Sequence, residues 1–533
     1  MKITTLKKLL SGLLLMAATV FTAQAIPADP TPVTVKQPDG SLLTVRLCGD
    51  EFFHFYETLD GVPLVQTRTE GYCYARMQGG NLISTGVMAH QAALRSAAEA
   101  ATAAKAVSIR AEFNTLARQA RAEQMQWMES TLRRTAPLQR TGRQYDWKGN
   151  QTGLVILVQF SDVKFRENHP RELFDRQFNE VGFDFEEATG SVYDYYLAQS
   201  NGEFGLNMDV VGPVTMPKPL AYYGGNAGNS RNVNVQEMVE EAFRLADAEA
   251  DFSKYDWDND GYVDNVFLVY AGYDESCSGN SEDYIWAHQW ATRQPVLCDG
   301  VYAQKYACAA EMFGWEQMGH TQLNGIGTPC HEMGHTLGLS DLYDVDYSGA
   351  NHPENWSLMA GGGHLANGKM PSNLTAFERA QLGWLKLTEL SEATSVVDMP
   401  SLSSGSEAYV IYNPACRSEF YVLENRQKEG FDSSQGGHGL LVFHIDFDRS
   451  VWDWNQPNDD VDHPRYLQIP AGGDYNNQAT CPFPGTGKVK ELTDYSHATA
   501  TLYNANLDGQ YKMHCAIKDI TEKNGKIFVL GLS

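Results

Sequence analysis

The sequence contains no Cys-x-x-Cys pair, which removes the simplest thiolate metal sites and dithiol redox motifs from consideration. Beyond the first 25 residues it has no run approaching the roughly 20 apolar residues that a membrane-spanning helix needs. No internal repeat is apparent. Positive charge is scarce, with 41 Lys and Arg against 66 Asp and Glu and a formal net charge of −25. The deficit is uneven: residues 1–145 carry 16 basic and 11 acidic side chains, and the remainder carries 25 and 55. So acidic a body offers no basic face to phosphates, so no nucleic-acid partner is expected. It suits a protein that binds cations.

What is present at the amino terminus is an export signal. Lys2, Lys7 and Lys8 precede an apolar stretch from Leu9 to Phe21, and Ala23-Gln24-Ala25 stands before Ile26-Pro27. This pattern predicts a cleavable signal peptide over 1–25 and a secreted or periplasmic product. Nine cysteines are an odd number for an oxidising compartment, so at least one is unpaired. Cys277, Cys298, Cys308 and Cys330 lie close enough in sequence to form two bridges, with the connectivity open.

At 533 residues the chain should fold as about three units. From Val33 to Gly86 short apolar runs alternate with turn signals such as Pro38-Asp39-Gly40 and Asp60-Gly61, predicting a small β-rich module. A helical stretch follows from Ala89 to Leu132, and Arg133, Arg134, Arg140 and Arg143 mark an exposed basic linker that is easily nicked. The text then changes at Gly153–Phe160, a continuous apolar β run. Further elements are predicted as a helix at Val235–Ala248, a strand at Asn265–Ala271 and a helix at Thr375–Leu382 that opens with Thr375 and Glu378 at capping-box spacing. Beyond Leu390 strands are predicted at Phe420–Glu424, Gly439–Phe447 and Lys526–Leu530. The expected fold class is mixed α+β. The expected units are 1–25 leader, 26–144 propeptide, 145–389 main domain and 390–533 a β-sandwich-like domain.

The most informative segment is His331-Glu332-Met333-Gly334-His335-Thr336-Leu337-Gly338-Leu339-Ser340-Asp341. Two histidines four apart project from one face of a helix, so both imidazoles reach one Zn²⁺ while Glu332 stands beside them. Catalytic zinc takes three protein ligands and keeps one position open. Gly338 lets the helix end in a left-handed residue and the chain turn back, which brings Asp341 forward as the third ligand. Asp344 is the weaker alternative. Glu332, as a non-ligand, is then the general base for a water acidified by the metal.

The segment resembles the metzincin pattern, whose usual third ligand is His; with Asp341 there, it is similar to the immune inhibitor A family of bacterial metallopeptidases. Asn355-Trp356-Ser357-Leu358-Met359-Ala360-Gly361-Gly362-Gly363 looks like that family's Met-turn, and Leu374–Trp384 like the helix that follows it. The resemblance implies a metzincin-like catalytic domain, Met359 as an apolar floor beneath the metal, and protein or peptide substrates for a monomeric, secreted endopeptidase. Gly361 stands where several metzincins carry a Tyr, so that turn supplies no tyrosine to the reaction.

Asp256-Trp257-Asp258-Asn259-Asp260-Gly261-Tyr262-Val263-Asp264 places carboxylates at positions 1, 3, 5 and 9 of an EF-like loop with Gly at 6, but Phe267 stands at position 12. A structural Ca²⁺ held by Asp256, Asp258, Asp260, the Tyr262 carbonyl and Asp264 is expected. The resemblance makes residues 26–144 a propeptide, and Arg46-Leu47-Cys48-Gly49-Asp50 is loosely like a cysteine switch, with Cys48 as the thiolate that covers the zinc. The plainer alternative is a strand cysteine bridged to Cys73. Two other classes of function compete with the peptidase: a non-catalytic calcium-dependent adhesin that keeps the fold, and a zinc hydrolase of non-peptide substrates.

Overall fold

A computed structural model describes residues 26–533 apart from 68, 114, 123–146, 227–231, 278–282, 346–348, 391–394, 530 and 533. The expected leader and the basic linker around Arg133–Arg143 lie outside the described residues.

The main sheet grows from the apolar run read in the sequence. Strand β7, Gly149–Gln159, pairs in parallel with β8, Phe204–Thr215, and with β9, Val266–Tyr273. Beyond β9 come β11, Val301–Phe313, and its antiparallel partner β10, His288–Cys298. The central strand is covered on both faces, which is why it reads as an unbroken hydrophobic run. Val155 and Leu157 enter one core, and Leu154, Ile156 and Val158 enter the other. On the second face packs the helix Val235–Ala246, whose buried Val235, Met238, Val239, Ala242, Phe243 and Ala246 follow the 3.6-residue period. On the first face lie the helices Pro170–Asn179, Val192–Gln199 and Gly327–Thr336.

The amino-terminal module is a six-stranded antiparallel meander in sequence order. It comprises β1 (Val33–Lys36), β2 (Leu42–Gly49), β3 (His54–Thr58), β4 (Pro63–Thr67), β5 (Gly71–Gln78) and β6 (Asn81–Met88). Leu43, Val45 and Leu47 share an apolar core with Ala103 and Ala106 of the helix Ala97–Ser108, which Ser96 caps. That core also contains Trp286 and Trp315 of the main unit, so the module is not a separate body. The turn between β2 and β3 docks through His54, which stacks on Trp286 with ring centroids 4.7 Å apart and lies 3.2 Å from Glu275. Arg121 anchors the same turn by a buried ion pair with Asp50 at 2.9 Å and donates to the Asn455 carbonyl.

None of the nine cysteines forms a disulfide, which corrects the expectation of bridges. Cys48 and Cys73 sit on β2 and β5, with two strands between them at about 4.8 Å per step, beyond disulfide reach. Cys298 and Cys308 fill one core and Cys330 the other, where a thiol behaves as a small apolar group.

The carboxy-terminal segment is β-rich as expected. A five-stranded sheet contains β12 (Tyr409–Asn413), β13 (Cys416–Arg426) and β14 (Gly439–Asp446), with a three-stranded sheet of Val396–Met399, Thr521–Lys523 and Lys526–Val529 beside it. Strand alternation divides its side chains. Val410, Val422, Leu441 and Phe443 join the main core, while Ile411, Tyr421, Leu423 and Val442 form a second core with Ile527 and Val529. The five-stranded sheet is therefore the shared wall between the main core and its own.

One buried cation binds this wall to the rest. Arg426 lies 2.6 Å from each oxygen of Asp432 and 3.0 Å from Glu424, and donates at 2.8 Å to the carbonyl of Trp356. Arg426→Met leaves two carboxylates buried without their cation, a loss of about 3–5 kcal/mol. Scanning calorimetry should show the melting temperature falling by several degrees, with one transition retained.

Candidate metal centre

The helix Gly327–Thr336 starts where it does because Gly327 meets the chain around Gly363: a Cβ at 327 would lie 1.9 Å from the Gly363 carbonyl oxygen. It ends as the sequence suggests, with Gly338 at φ 101° and Leu339 N donating to the Gly334 carbonyl. The reversal brings Asp341 back over the helix. His331 Nε2 and His335 Nε2 are 3.1 Å apart, and Asp341 Oδ1 lies 3.1 Å and 3.3 Å from them.

The hydrogen bonds around this trio define what it lacks. His331 Nδ1 is 2.8 Å from the Leu358 carbonyl oxygen and His335 Nδ1 is 2.9 Å from that of Leu339. A carbonyl only accepts, so each Nδ1 carries the proton and each Nε2 turns a lone pair inward. Asp341 Oδ1 has no hydrogen-bond donor of its own. Three electron-pair donors thus converge in a buried space with no proton between them, and a cation is what satisfies them. Two imidazole nitrogens and one carboxylate oxygen are a donor set that zinc accepts.

Met359 is fully buried close to the helix; a Cβ on Gly334 would come 2.8 Å from its sulfur, so the glycine within the histidine motif makes room for it. Ser357 Oγ holds the turn, accepting from Met359 N and donating to Glu378. The capping box of Thr375 and Glu378 is present at the start of the helix Ala376–Gln381. Asp344 does not join the trio, because its carboxylate accepts from Gly349 N and Ala350 N.

Glu332 is fully buried beside the trio. Burial, and then the charge of Asp341, push its carboxyl well above the usual carboxylate range. Its Oε1 accepts from the backbone N of Ile26 at 2.8 Å, and its Oε2 has no hydrogen-bond partner. The group that reaches the centre from the amino-terminal module is therefore Ile26. Cys48 is outside the cluster: on β2 it faces away from Leu47 and packs with Phe53, Phe55 and Phe113, and burial drives its thiol far above the usual range.

Besides Ile26, sequence spacing missed three further participants. Asn455, 114 residues beyond Asp341, donates from Nδ2 to Asp341 Oδ2 at 2.7 Å and accepts from Asp341 N at 2.6 Å. Trp286 Nε1 donates to the Ile26 carbonyl at 3.0 Å, and His364 Nε2 to the Pro27 carbonyl at 2.7 Å. Only Ile26 had a signal, its place after Ala23-Gln24-Ala25.

At the acidic loop the carboxylates of Asp256, Asp258 and Asp260 converge within 4.8 Å of one another. Asp260 N donates to Asp256 and Asp258, and Gly261 N to Asp256, so the backbone folds the loop around its own acids. Asp264 lies at the edge, accepting from Trp257 N at 2.6 Å. Tyr262 continues into a bridge with Tyr302.

Residues 142–389 match the sequence profile of the immune inhibitor A peptidase M6 catalytic domain. Immune inhibitor A of Bacillus thuringiensis subsp. alesti is 27% identical over 281 residues, 44% of this chain and 41% of that protein. The pre-pro-metalloprotease PrtV of Vibrio cholerae serotype O1 (strain M66-2) is 24% identical over 395 residues, 64% of this chain and 40% of that protein. The chain spans about two fifths of the length of these relatives.

The Asn455 contact predicts a measurable effect on the trio. Asn455→Ala frees the second oxygen of Asp341, and zinc affinity, read by competition against a chromogenic chelator, should fall by about 10–100-fold. An unchanged affinity would remove Asn455 from the support of the site.

Proposed function

On the match of residues 142–389 to the immune inhibitor A (M6) catalytic domain, we propose that this chain is a peptidase of that family, a secreted zinc-dependent endopeptidase made as a latent precursor. The observation that carries the reading is the convergence of His331, His335 and Asp341 beside a carboxylate, Glu332, that is not among them. His331, His335 and Asp341 would hold the zinc, which supplies a Lewis acid for the scissile carbonyl and acidifies a water. Glu332 takes the proton of the attacking water and passes it to the leaving amine. Met359 closes the base of the site with an apolar floor.

The precursor reading assigns 1–25 to a signal peptide, 26–144 to a propeptide, 145–389 to the metzincin-like catalytic domain and 390–533 to a β-sandwich-like domain. Ile26 supports latency, since its nitrogen occupies the Oε1 that the reaction needs and the two residues from it fill the approach. Cys48, half-buried against phenylalanines, is not needed for this, and Cys48→Ala should leave the precursor latent.

Zinc chelation should abolish casein cleavage by the processed enzyme and zinc should restore it. Glu332→Gln should keep stoichiometric zinc by elemental analysis while turnover drops by about 10²–10⁴-fold. A variant that is inactive because it has lost its zinc would overturn the division of roles, and full casein cleavage by the chelated enzyme would overturn the zinc-dependent reading. A purely adhesive role predicts no chelator-sensitive cleavage at all, and a hydrolase of other substrates predicts none of proteins.

We assign a structural calcium to Asp256, Asp258 and Asp260, with the Tyr262 carbonyl and Asp264 completing its shell. Like charges about 4 Å apart repel by about 1 kcal/mol per pair even in water, and a divalent cation turns this into attraction. Calcium should raise the melting temperature of the protein, and Asp258→Ala should remove that increment. A melting temperature indifferent to calcium in the unsubstituted protein would dismiss the site.

A further inference from the structure

We propose that Ile26 marks the pocket for the substrate residue that follows the scissile bond, and that Gly363 sets the size of that pocket, so that the enzyme cleaves before branched aliphatic residues. The inference rests on the peptidase reading and on leader removal after Ala25, and adds a specificity to them.

The position of the Ile26 nitrogen carries the argument. In amide hydrolysis a C–O bond forms from water and the C–N bond breaks. The proton that Glu332 takes from the water goes to the departing nitrogen, and the products are a carboxylate and an amine. The nitrogen that rests against Glu332 at the end of the reaction is therefore the amine of the product. Ile26 N donates to Glu332 Oε1 at 2.8 Å, and its chain continues away through Pro27 and Ala28. Once the leader is removed after Ala25, the residues from Ile26 onward would lie as a bound product on the leaving-amine side.

Two donors grip this chain without reading its side chains. Trp286 Nε1 holds the Ile26 carbonyl and His364 Nε2 holds the Pro27 carbonyl. Trp286 comes from the segment before β10, and His364 from the turn that follows Met359, so the two stand on different parts of the chain. Both contact main-chain oxygen, which every peptide offers.

Selectivity is then left to the side chain of Ile26, which is fully buried in the apolar cluster that includes Leu323, Ile326 and Ala360. A Cβ at Gly363 would lie 3.0 Å from Ile26 Cδ1, while its next neighbours, backbone atoms of Gly327, would be at 3.6 and 3.8 Å. A methyl group at 363 therefore fits the fold and takes volume from the pocket alone. Gly363 does not adopt a left-handed backbone, so its lack of a side chain serves space rather than conformation.

The test uses the enzyme processed from the full chain on a proteome-derived peptide library, with cleavage sites read by mass spectrometry. Ile, Val and Leu should be enriched after the scissile bond, by roughly tenfold over Gly. Gly363→Val should move the preference to Ala and Ser, and the conservative Gly363→Ala should move it part of the way even if the larger variant fails to fold. Calorimetric binding of the peptide Ile-Pro-Ala-Asp-Pro gives a second readout: it should weaken when its first residue is Gly, and again in Gly363→Ala. Cleavage with no preference at that position, or with one that Gly363→Ala leaves unmoved, overturns the inference while the peptidase reading stands. Absence of any chelator-sensitive cleavage overturns both.

Discussion

Two imidazole nitrogens and a carboxylate oxygen turned toward one another in a buried space call for a cation among them, and the turns and hydrogen bonds around the trio hold that arrangement. Each imidazole is fixed by a carbonyl behind it, at Leu358 and Leu339, and the carboxylate by Asn455. Those carbonyls are available because the chain turns at Gly338 and again around Met359. The main sheet supplies the rigidity: its first face packs the helix that carries both histidines, and its central strand is inaccessible from either side. Without the metal the trio has only repulsion to offer, so the stability of the site is borrowed from its surroundings.

The amino-terminal module reaches the same centre by a different principle. Its meander contributes a scaffold, and the contacts that matter come from its ends: the turn between β2 and β3, anchored through Asp50 and His54, and the first residues before β1. Ala28 N donates to the Gly49 carbonyl and Asp29 N to that of Ser276, so the short segment is clamped between its own module and the main unit. Trp286 works twice, as the stacking partner of His54 and as a hydrogen-bond donor to Ile26. An aromatic ring with a polar edge is suited to both tasks at once.

Much of this was legible in the sequence, for identifiable reasons. The convergence of His331, His335 and Asp341 followed from the helical repeat and from a glycine where a helix must stop. The strands at 153, 420 and 439 declared themselves by burial on both faces, and the helix at Thr375 by its cap. What the sequence could not show depends on contacts across long separations. Asn455 meets Asp341 only because the five-stranded sheet folds back on the catalytic unit, and no local pattern at 455 foretells it. Cys48 attracted notice through its neighbours in sequence, yet strand alternation turns it toward Phe53 and Phe55, away from the metal trio. Nor does nearness in sequence make bridges of the cysteines: Cys298 and Cys308 lie unpaired in one core and Cys330 in the other.

The five-stranded sheet blurs the meaning of a domain boundary in this chain. The match to the catalytic-domain profile ends at residue 389, but Asn455, Arg426 and one face of β12, β13 and β14 lie beyond it and complete the core and the support of Asp341 within it. Inheritance and folding therefore divide the molecule at different places. The segment that matches the profile rests on a neighbour outside it, so a change on the sheet's inner face disturbs the same core that packs the helix carrying His331 and His335.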